Sequence, residues 1–297
     1  MLKTLVVIPC YNEADRLRVG DFARYVDSQP DLGFLFVNDG STDATLPIIQ
    51  QLSDSNPSRI SVLNLPENRG KATAVQKGIA HAIKRRPEYV GFWDADLATP
   101  LDEIGKFTKV LDQRPDLQIV IGSRIALLGR KIQRTRVRRI LGRLFAFAAT
   151  SVLSLRVCDT QCGAKMFRVN SEIDSIFAKP FYTKWILDVE ILARLIAARR
   201  QTGRCPAEHV IYEQPLESWQ DVAGSKLKSF DFVKAGFELA VIYWRCLGPF
   251  RQPVATETSQ LEPTVGESNE INTPSEDSHA DIIPFPTSGA IESRKAA

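Results

Sequence analysis

Short apolar runs alternate with helix-like segments over the first 125 residues of this 297-residue chain. Five runs rich in β-forming residues occur at 4–8, 33–37, 60–64, 89–93 and 118–122. The segments between them have helical character and occupy residues 13–28, 43–54, 70–85 and 101–112. Alternation of strands and helices with short connections predicts an α/β fold, with a mostly parallel central sheet and flanking helices on both faces.

Polar residues follow each of the five predicted strands directly. The segments are "PCYNE" (9–13), "NDGSTD" (38–43), "PENRGK" (66–71), "DADLATP" (94–100) and "GSR" (122–124). In sheets of this kind ligands bind beyond the carboxyl ends of the strands. Five strand ends that carry acids, amides, glycines or a base therefore predict one polar site at that edge of the sheet.

Asp94 and Asp96 lie one residue apart, directly after an apolar strand. Alternate residues of an extended segment point the same way, so both carboxylates can face one ligand. Two neighbouring carboxylates repel each other unless a cation neutralises them. A hard divalent ion, Mg²⁺ or Mn²⁺, with diphosphate oxygens and water in its shell fits this pair better than a polar turn does.

Two other strand ends carry candidate ligand groups. Asp39 directly follows a buried strand and can accept hydrogen bonds from a ribose or a nucleobase, while Ser41 to Asp43 is equally explained as a helix cap. Lys71 stands at a helix start behind Gly70, where a phosphate is favoured, although a solvated lysine is the alternative. The segment lacks the spacing of a P-loop.

Six segments, in order along the chain, resemble the inverting glycosyltransferases of family 2, which have the GT-A fold. They are "VVIPCYNEADRL", "FVNDGSTDAT", "NRGKATAVQKGI", "FWDADLATPLDEI", "GSR" and "DTQCGAKMF". Two more are similar to the branch that acts on dolichyl phosphate and polyprenyl phosphate, namely "KWILDVEILARL" (184–195) and "WQDVAGSKL" (219–227). The resemblance covers about residues 3 to 245 and implies a Rossmann-like nucleotide-binding half.

The resemblance implies a nucleotide-diphosphate sugar as donor, with UDP-glucose favoured and GDP-mannose and other UDP-sugars left open. It places the nucleotide-sugar on Pro9, Tyr11, Glu13, Asp39, Lys71 and Asp94. It assigns Asp96, with Asp94, to the Mg²⁺ or Mn²⁺ ion on the diphosphate, where the ion acts as a Lewis acid.

Three acids are candidates for the catalytic base. The resemblance gives that role to Asp188, and Asp159 in "DTQCGAK" is kept as a rival. Glu190 lies two residues after Asp188 at the start of a segment with the pattern of an amphipathic helix, where an acid also complements the helix dipole. Trp185 is expected to pack against the sugar or the acceptor, although a tryptophan is more often part of the core.

A cluster of basic residues favours a phosphate acceptor. The predicted acceptor-phosphate residues are Arg124, Arg134, Arg136, Arg138 and Arg139. Arginine matches phosphate oxygens in two-point contacts, and the apolar stretch 144–155 follows at once, which is the order expected of a lipid phosphate site at a membrane surface. The apolar residues interspersed among these arginines are aliphatic rather than aromatic, so nucleic acid is not expected as a ligand.

The domain organisation is expected to be one GT-A domain over 1–250, with a donor half at about 1–125 and an acceptor half at about 126–250. Residues 251–297 carry eight Asp and Glu against three Lys and Arg, and are predicted to be a disordered acidic tail. Five cysteines do not suggest a disulfide framework, which fits a reduced cytoplasmic setting.

No apolar stretch reaches the ~18 to 20 residues that cross a bilayer. Attachment to the inner face of a membrane is therefore expected to be peripheral, or supplied by a membrane-anchoring subunit. The leading hypothesis is transfer of a hexose from a nucleotide-sugar to a polyprenyl phosphate. The alternatives are a glycosyltransferase for a soluble sugar, another lipid or a protein, and an inactive membrane-associated scaffold.

Overall fold

The computed structural model describes residues 2–125, 127–133, 136–220 and 230–248, all within one compact unit, Met1–Thr256. The strands are β1 (Thr4–Cys10), β2 (Leu32–Asp39), β3 (Ile60–Leu65), β4 (Tyr89–Trp93), β5 (Ile119–Ser123), β6 (Lys131–Gln133), β7 (Ala164–Arg168), β8 (Ile211–Pro215) and β9 (Ser218–Gln220). The α-helices are α1 (Val19–Ser28), α2 (Thr45–Ser55), α3 (Lys71–Ile83), α4 (Asp102–Gln113), α5 (Arg136–Leu153), α6 (Ser171–Ala178), α7 (Leu187–Thr202) and α8 (Phe230–Ile242). A 3₁₀ turn (Ala207–His209) and a π-helical turn (Tyr243–Leu247) complete the described elements.

Seven strands form one sheet in the order β3-β2-β1-β4-β7-β5-β8. The pairs among β3, β2, β1 and β4 are parallel, as is the pair of β5 with β8. Among the described strands of this sheet, β7 alone runs antiparallel, between β4 and β5. The predicted α/β class and all five predicted strands are confirmed, and the carboxyl ends of β1, β2, β4 and β5 share one edge.

Helices cover both faces of the sheet. On one face, α1, α2 and α4 pack side chains such as Phe22, Ile49 and Phe107 against the strands. On the other face, α3, α5, α6, α7 and α8 form a second apolar cluster, which includes Val75 and Leu192. This two-faced packing explains why β1 and β2 are apolar along nearly their whole length.

A two-stranded parallel sheet of β6 and β9 lies outside the main sheet and joins the segment before α5 to the segment after β8. Arg134 and the predicted tail 251–297 lie outside the described residues. Arg136, Arg138 and Arg139 belong to α5, but their side chains are outside the described part of the chain. Among the helices that the structure describes, none has the length and apolar character needed to span a bilayer.

Candidate active site

The loop after β1 is locked to the loop after β2 by hydrogen bonds. The backbone N–H of Asn12 donates to Oγ of Ser41 at 3.1 Å, and that of Thr42 donates to Oδ1 of Asn12 at 2.9 Å. The backbone N–H of Glu13 donates to Oγ1 of Thr45 at 2.8 Å. Asn12 has a φ of 52°, a left-handed conformation that asparagine tolerates. The two strand ends therefore form one rigid rim.

Three predicted nucleotide-sugar residues lie on this rim. Pro9 is within β1 and is paired with Val37. The Tyr11 side chain is 37% exposed, and an Oε1 of Glu13 accepts a hydrogen bond from Arg16 at 2.6 Å. The structure thus places Pro9, Tyr11 and Glu13 together at the carboxyl end of β1, as the sequence predicts.

Asp39 is buried and organises the loop that precedes α3. Its two carboxylate oxygens accept hydrogen bonds from the backbone N–H groups of Arg69, at 3.0 Å, and Gly70, at 2.8 Å. Gly70 has a φ of 91°, which only glycine adopts readily, so the chain turns there and α3 begins at Lys71. Asp39 therefore fixes the position of Lys71 through the backbone of the loop.

Lys71 forms an ion pair with Asp94, with Nζ and Oδ1 2.5 Å apart. Burial opposes the charge on Lys71, but the carboxylates of Asp94, Asp188 and Asp96 outweigh it and raise the pKa of the lysine. Asp96 accepts a hydrogen bond from the backbone N–H of Ala98 at 3.0 Å. Burial and then the Asp94 charge raise the pKa of Asp96. One lysine and three acids thus share a single electrostatic site.

The Asp94 carboxylate rests against the start of β7. A Cβ atom on Gly163 would lie 1.8 Å from Oδ2 of Asp94, and the backbone N–H of Asp94 donates to the carbonyl of Gly163 at 3.0 Å. The absent side chain of Gly163 makes the space that the carboxylate fills.

In the described chain, no group of three or more His, Cys, Asp or Glu is arranged to hold a metal. Two hard oxygen donors still fit Mg²⁺ or Mn²⁺, since these ions take substrate phosphates and water as further ligands.

Asp188 lies in the first turn of α7, is buried, and forms an ion pair with the ammonium group of Lys165. Asp188 is near enough to Lys71 for its charge to help raise the pKa of the lysine. The ammonium group that pairs with Asp188 also donates to the carbonyl of Cys162, next to the Gly163 against which Asp94 rests. The structure therefore brings the predicted base to the site and pairs it with Lys165, a residue that was not predicted from the sequence.

Glu190 is not brought to this site. Its carboxylate accepts hydrogen bonds from the backbone N–H groups of Tyr182 and Thr183, both at 2.9 Å, and pairs with Arg194 at 2.7 Å. The expectation of an amphipathic helix is wrong for this segment, because residues 187–199 of α7 are all buried. Other elements cover α7 on every side, so its charged groups are paired inside the protein: Glu190 pairs with Arg194 of the same helix, and Asp188 and Arg199 pair with residues of other elements. This arrangement favours a structural role for Glu190.

Asp159 and Arg124 form a two-point ion pair on the acceptor side. The guanidinium donates to the two Asp159 oxygens at 2.6 Å and 2.7 Å, and the backbone N–H of Arg124 adds a third hydrogen bond at 3.0 Å. Burial works against the Arg124 charge, but Asp159 outweighs it and raises the pKa of the guanidinium. The Arg124 guanidinium also lies over the ring of Trp219, 5.3 Å from its centroid. Much of the hydrogen-bonding capacity of both predicted residues is therefore used within the protein.

A cavity of about 400 Å³ opens beside this pair. It is lined on one side by Arg124, Asp159 and Thr160 and on the other by α5, which contributes Arg143 and Phe145. Basic and apolar groups thus face the same space. A second cavity, of about 600 Å³, is lined by α1, the 97–102 segment and β9, and none of its described lining residues is a predicted site residue.

The loop before α7 is held by α8. The carboxylate of Glu238 accepts hydrogen bonds from the backbone N–H groups of Lys184, Trp185 and Ile186, each at 3.1 Å. Ile186, at the N-cap position of α7, has no side-chain group that can cap the helix, so Glu238 supplies the cap from another helix. The Trp185 side chain is 40% exposed, which leaves it available to a ligand rather than packed in the core.

Three residues with a part in the site were not predicted from the sequence: Gly163, Lys165 and Glu238. The signal for the first two lies in "DTQCGAKMF", where a glycine precedes an apolar strand and a lysine interrupts it. A lysine among buried strand residues needs a buried acidic partner, which could have directed attention to it. No local pattern marks Glu238, since its partners are about 50 residues away along the chain.

Comparison with known proteins gives a match over most of the chain. The family model described as Glycosyl transferase family 2 matches residues 5–174. A dolichyl-phosphate beta-glucosyltransferase of Trichomonas vaginalis is 33% identical over 256 residues, covering 82% of this chain and 72% of that protein. The dolichyl-phosphate beta-glucosyltransferase of Homo sapiens is 31% identical over 257 residues, covering 82% of this chain and 75% of that protein.

Solved structures share the architecture at low sequence identity. Glucosyl-3-phosphoglycerate synthase from Mycobacterium tuberculosis, in complex with Mn²⁺, UDP-glucose and phosphoglyceric acid, has a TM-score of 0.58 and 15% identity, over 82% of this chain and 79% of that one. A mannosyltransferase from Pyrobaculum calidifontis, in complex with GDP-Man and Mn²⁺, has a TM-score of 0.51 and 16% identity, over 82% of this chain and 63% of that one. The shared fold is GT-A, as the sequence predicts.

Proposed function

Because the chain belongs to glycosyl transferase family 2 and is a glycosyltransferase, we propose that it moves glucose from UDP-glucose to a polyprenyl phosphate, with inversion of the anomeric centre. The observation that carries the proposal is the cluster of Lys71, Asp94, Asp96 and Asp188 at the carboxyl edge of the sheet. The names of the relatives, dolichyl-phosphate beta-glucosyltransferases, support the choice of donor sugar and acceptor.

On the donor side, the rim that carries Pro9, Tyr11 and Glu13 holds the nucleoside, and Asp39 keeps Lys71 at the diphosphate. Asp96 and Asp94 hold Mg²⁺ or Mn²⁺, and the Mn²⁺ in the complexes of two structural relatives supports a divalent ion. When bound, the ion neutralises the charge that develops on the departing nucleoside diphosphate. Lys71 then supplies a further positive charge beside the same carboxylates.

On the acceptor side, the cavity of about 400 Å³ receives the phosphate, with Arg143 and Arg124 as the described cations. The arginines at positions 134, 136, 138 and 139 are proposed to add to this charge. A phosphomonoester is already anionic near neutral pH, since its second pKa is about 6, so its oxygen attacks without a base. Asp188 and Asp159 then orient groups at the site. An acceptor hydroxyl on a soluble sugar or a protein would instead require one of them as a base.

Exposed apolar side chains suggest how the enzyme reaches a lipid acceptor. On α5, Ile140, Leu144 and Phe147 are all exposed, and Arg143 lies among them. The π-helical turn after α8 exposes two more aromatic side chains, Tyr243 and Trp244. Apolar and aromatic groups beside basic ones are typical of a helix that lies in a membrane interface. We propose peripheral docking of this face, with or without a membrane-anchoring subunit.

The cytoplasmic face of the membrane is the proposed location. All five cysteines are free, which suits a reducing compartment.

The two proposed halves, about 1–125 and 126–250, share one sheet, because β7 and β8 from the second half complete it. This division therefore describes which ligand each half binds, and not two separately folded units.

A transfer assay tests the proposal. The full chain is incubated with UDP-glucose or GDP-mannose, with or without a short-chain polyprenyl phosphate, in Mn²⁺, Mg²⁺ or chelator. We expect labelled glucose in the organic phase only with UDP-glucose, lipid phosphate and metal. If the donor is hydrolysed but no labelled product enters the organic phase, the lipid phosphate is not the acceptor, and another acceptor has to be proposed. Absence of metal-dependent UDP binding in calorimetry would favour the inactive scaffold.

A further inference from the structure

Lys165 is the most deeply buried charged residue near the site. It lies in β7, has no exposed surface, and its ammonium group donates to the carbonyls of Thr160, at 3.0 Å, and Cys162, at 2.8 Å, and to Oδ1 of Asp188. All three N–H donors of the lysine are therefore used. A charge without water is tolerated only when it is paired and fully hydrogen-bonded, so these three contacts constrain one another closely.

The partners of Lys165 belong to the two sides of the site. The turn 160–163 follows Asp159 and ends in Gly163, against which the Asp94 carboxylate rests. Asp188 belongs to α7 and acts electrostatically on Lys71. The Lys165 ammonium group thus links Asp188, at the start of α7, to the 160–163 turn, which supports Asp94.

Another buried ion pair serves as a comparison. Arg199 and Glu172 are as buried as Lys165 and Asp188, with a 2.7 Å contact, but they join α7 to α6 beyond the site. Their partners include Cys205, in the loop after α7, and no predicted site residue. Burial and pairing alone therefore do not explain the placement of Lys165.

We propose that Lys165 is a positioning residue for glycosyl transfer, which holds the Asp188 carboxylate and the 160–163 turn in one fixed arrangement around the reacting groups. This inference rests on the proposed function, because it assigns Asp188 to the reaction. It differs from a general contribution to stability, since it requires Lys165 to act through Asp188. Loss of either partner should then remove the same contribution to the rate.

A kinetic double-mutant cycle tests this coupling. The variants Lys165→Met, Asp188→Asn and the double variant are compared with the wild-type enzyme in the transfer assay, with kcat expressed per folded molecule. We expect each single substitution to lower kcat by about tenfold or more, and the double variant to be no slower than the slower single variant, as for residues that act as one unit. Reductions that multiply would overturn the proposal.

Arg199→Met is the matched control. It should lower the unfolding midpoint, as any loss of a buried partner does, and leave kcat per folded molecule unchanged in both the wild-type and the Asp188→Asn backgrounds. If Lys165→Met does not fold, Lys165→Arg takes its place, because it keeps the charge but displaces Asp188. A kcat for that variant equal to wild type would count against the positioning role.

Amide hydrogen exchange separates failure of this inference from failure of the proposed function. If the wild-type enzyme forms no lipid product, the acceptor proposal fails, and the arrangement is still measurable. We expect the amides of 160–163 and of the first turn of α7 to exchange about tenfold faster in both single variants, and at the wild-type rate in Arg199→Met. Unchanged exchange in Lys165→Met would overturn the inference whatever the activity.

Discussion

The Asp94 carboxylate occupies the space that a side chain on Gly163 would fill, since a Cβ there would lie 1.8 Å from Oδ2 and 2.3 Å from Cγ of Asp94. The atoms in conflict belong to the end of a side chain, which can rotate away, and not to the backbone. An added methyl group would therefore move the carboxylate and leave the sheet nearly unchanged. Gly163 thus sets the position of a residue proposed to bind the donor.

Replacement of Gly163 by alanine should weaken metal-dependent UDP binding by about tenfold or more, because Asp94 can no longer stay beside Lys71, while the unfolding free energy changes by about 1 kcal/mol or less. Calorimetric titration with UDP and Mn²⁺ measures the first quantity and urea unfolding the second. Gly105→Ala on α4 is the control, since only the Tyr25 hydroxyl comes within 4 Å of the added atom. Wild-type affinity in Gly163→Ala would contradict this account.

Asp96→Asn should abolish most of the metal dependence of donor binding and lower the transfer rate by at least about 100-fold, because the carboxylate is the proposed ligand of the ion. Burial and the Asp94 charge raise the pKa of Asp96, which is the direction expected of a carboxylate that lacks a bound cation. Asp116→Asn, at an exposed acid paired with Arg114, should bind and react like wild type. The donor affinity of Asp96→Asn should differ little between Mn²⁺ and chelator, and a response to Mn²⁺ as large as that of the wild type would exclude this role.

The strands and the polar ends of the sheet were predictable because both follow from local pattern. Runs such as 89–93 have the composition of buried strands, and Asp94 and Asp96 come directly after one of them. The position of β7 was not predictable in the same way. Its five residues do not specify a partner, and they enter the sheet between β4 and β5, against strands 40 or more residues away along the chain.

The side-chain partners in the site were predictable only in part. Glu190 has the spacing of an exposed first-turn acid, yet α7 is covered on all sides, so the same residue becomes a buried partner of Arg194. Sequence periodicity reports how apolar a face is and does not show how many faces are covered. Likewise the two-point pair of Arg124 with Asp159 joins residues 35 positions apart, a distance at which sequence carries no signal.

Asp112→Asn should reduce stability in a pH-dependent way. Burial alone would raise the pKa of Asp112, but hydrogen bonds from Lys3, at 2.8 Å, and Tyr89, at 2.6 Å, outweigh it and lower the pKa. A lowered pKa in the folded state stabilises the protein above the unfolded-state value of about 4, and this contribution is lost as pH falls through the folded-state value. The wild-type advantage should therefore be constant from pH 5 to 7, on the order of 1 kcal/mol or less because the side chain is 43% exposed, and shrink below about pH 4. Urea unfolding at each pH measures it, and an advantage that grows in acid would have the wrong sign.

Glu238→Ala should remove the cap of α7 and lower the unfolding free energy by about 1 kcal/mol, since three backbone N–H groups lose their acceptor. The start of α7 carries Asp188, so we also expect the transfer rate per folded molecule to fall. The matched control is Asn170→Ala, which removes the N-cap of α6, whose side chain accepts from the N–H of Ile173 at 2.9 Å. This control variant should lose a similar amount of stability and keep the wild-type transfer rate. Equal transfer rates for the two variants would mean that the Glu238 cap does not affect the reaction.

Phe147→Glu tests whether the exposed face of α5 meets the membrane. The phenyl ring is 73% exposed, so a charge there costs little folding stability, whereas burial of a phenylalanine in the interface is worth about 1.5–3 kcal/mol. We expect binding to vesicles that contain anionic lipid to weaken by about tenfold or more, measured by co-sedimentation, with an unchanged unfolding midpoint. Gln51→Glu introduces the same charge on α2, which packs on the opposite face of the sheet, and should bind vesicles like wild type. If both variants lose binding equally, the effect comes from net charge alone, and α5 is not the docking face.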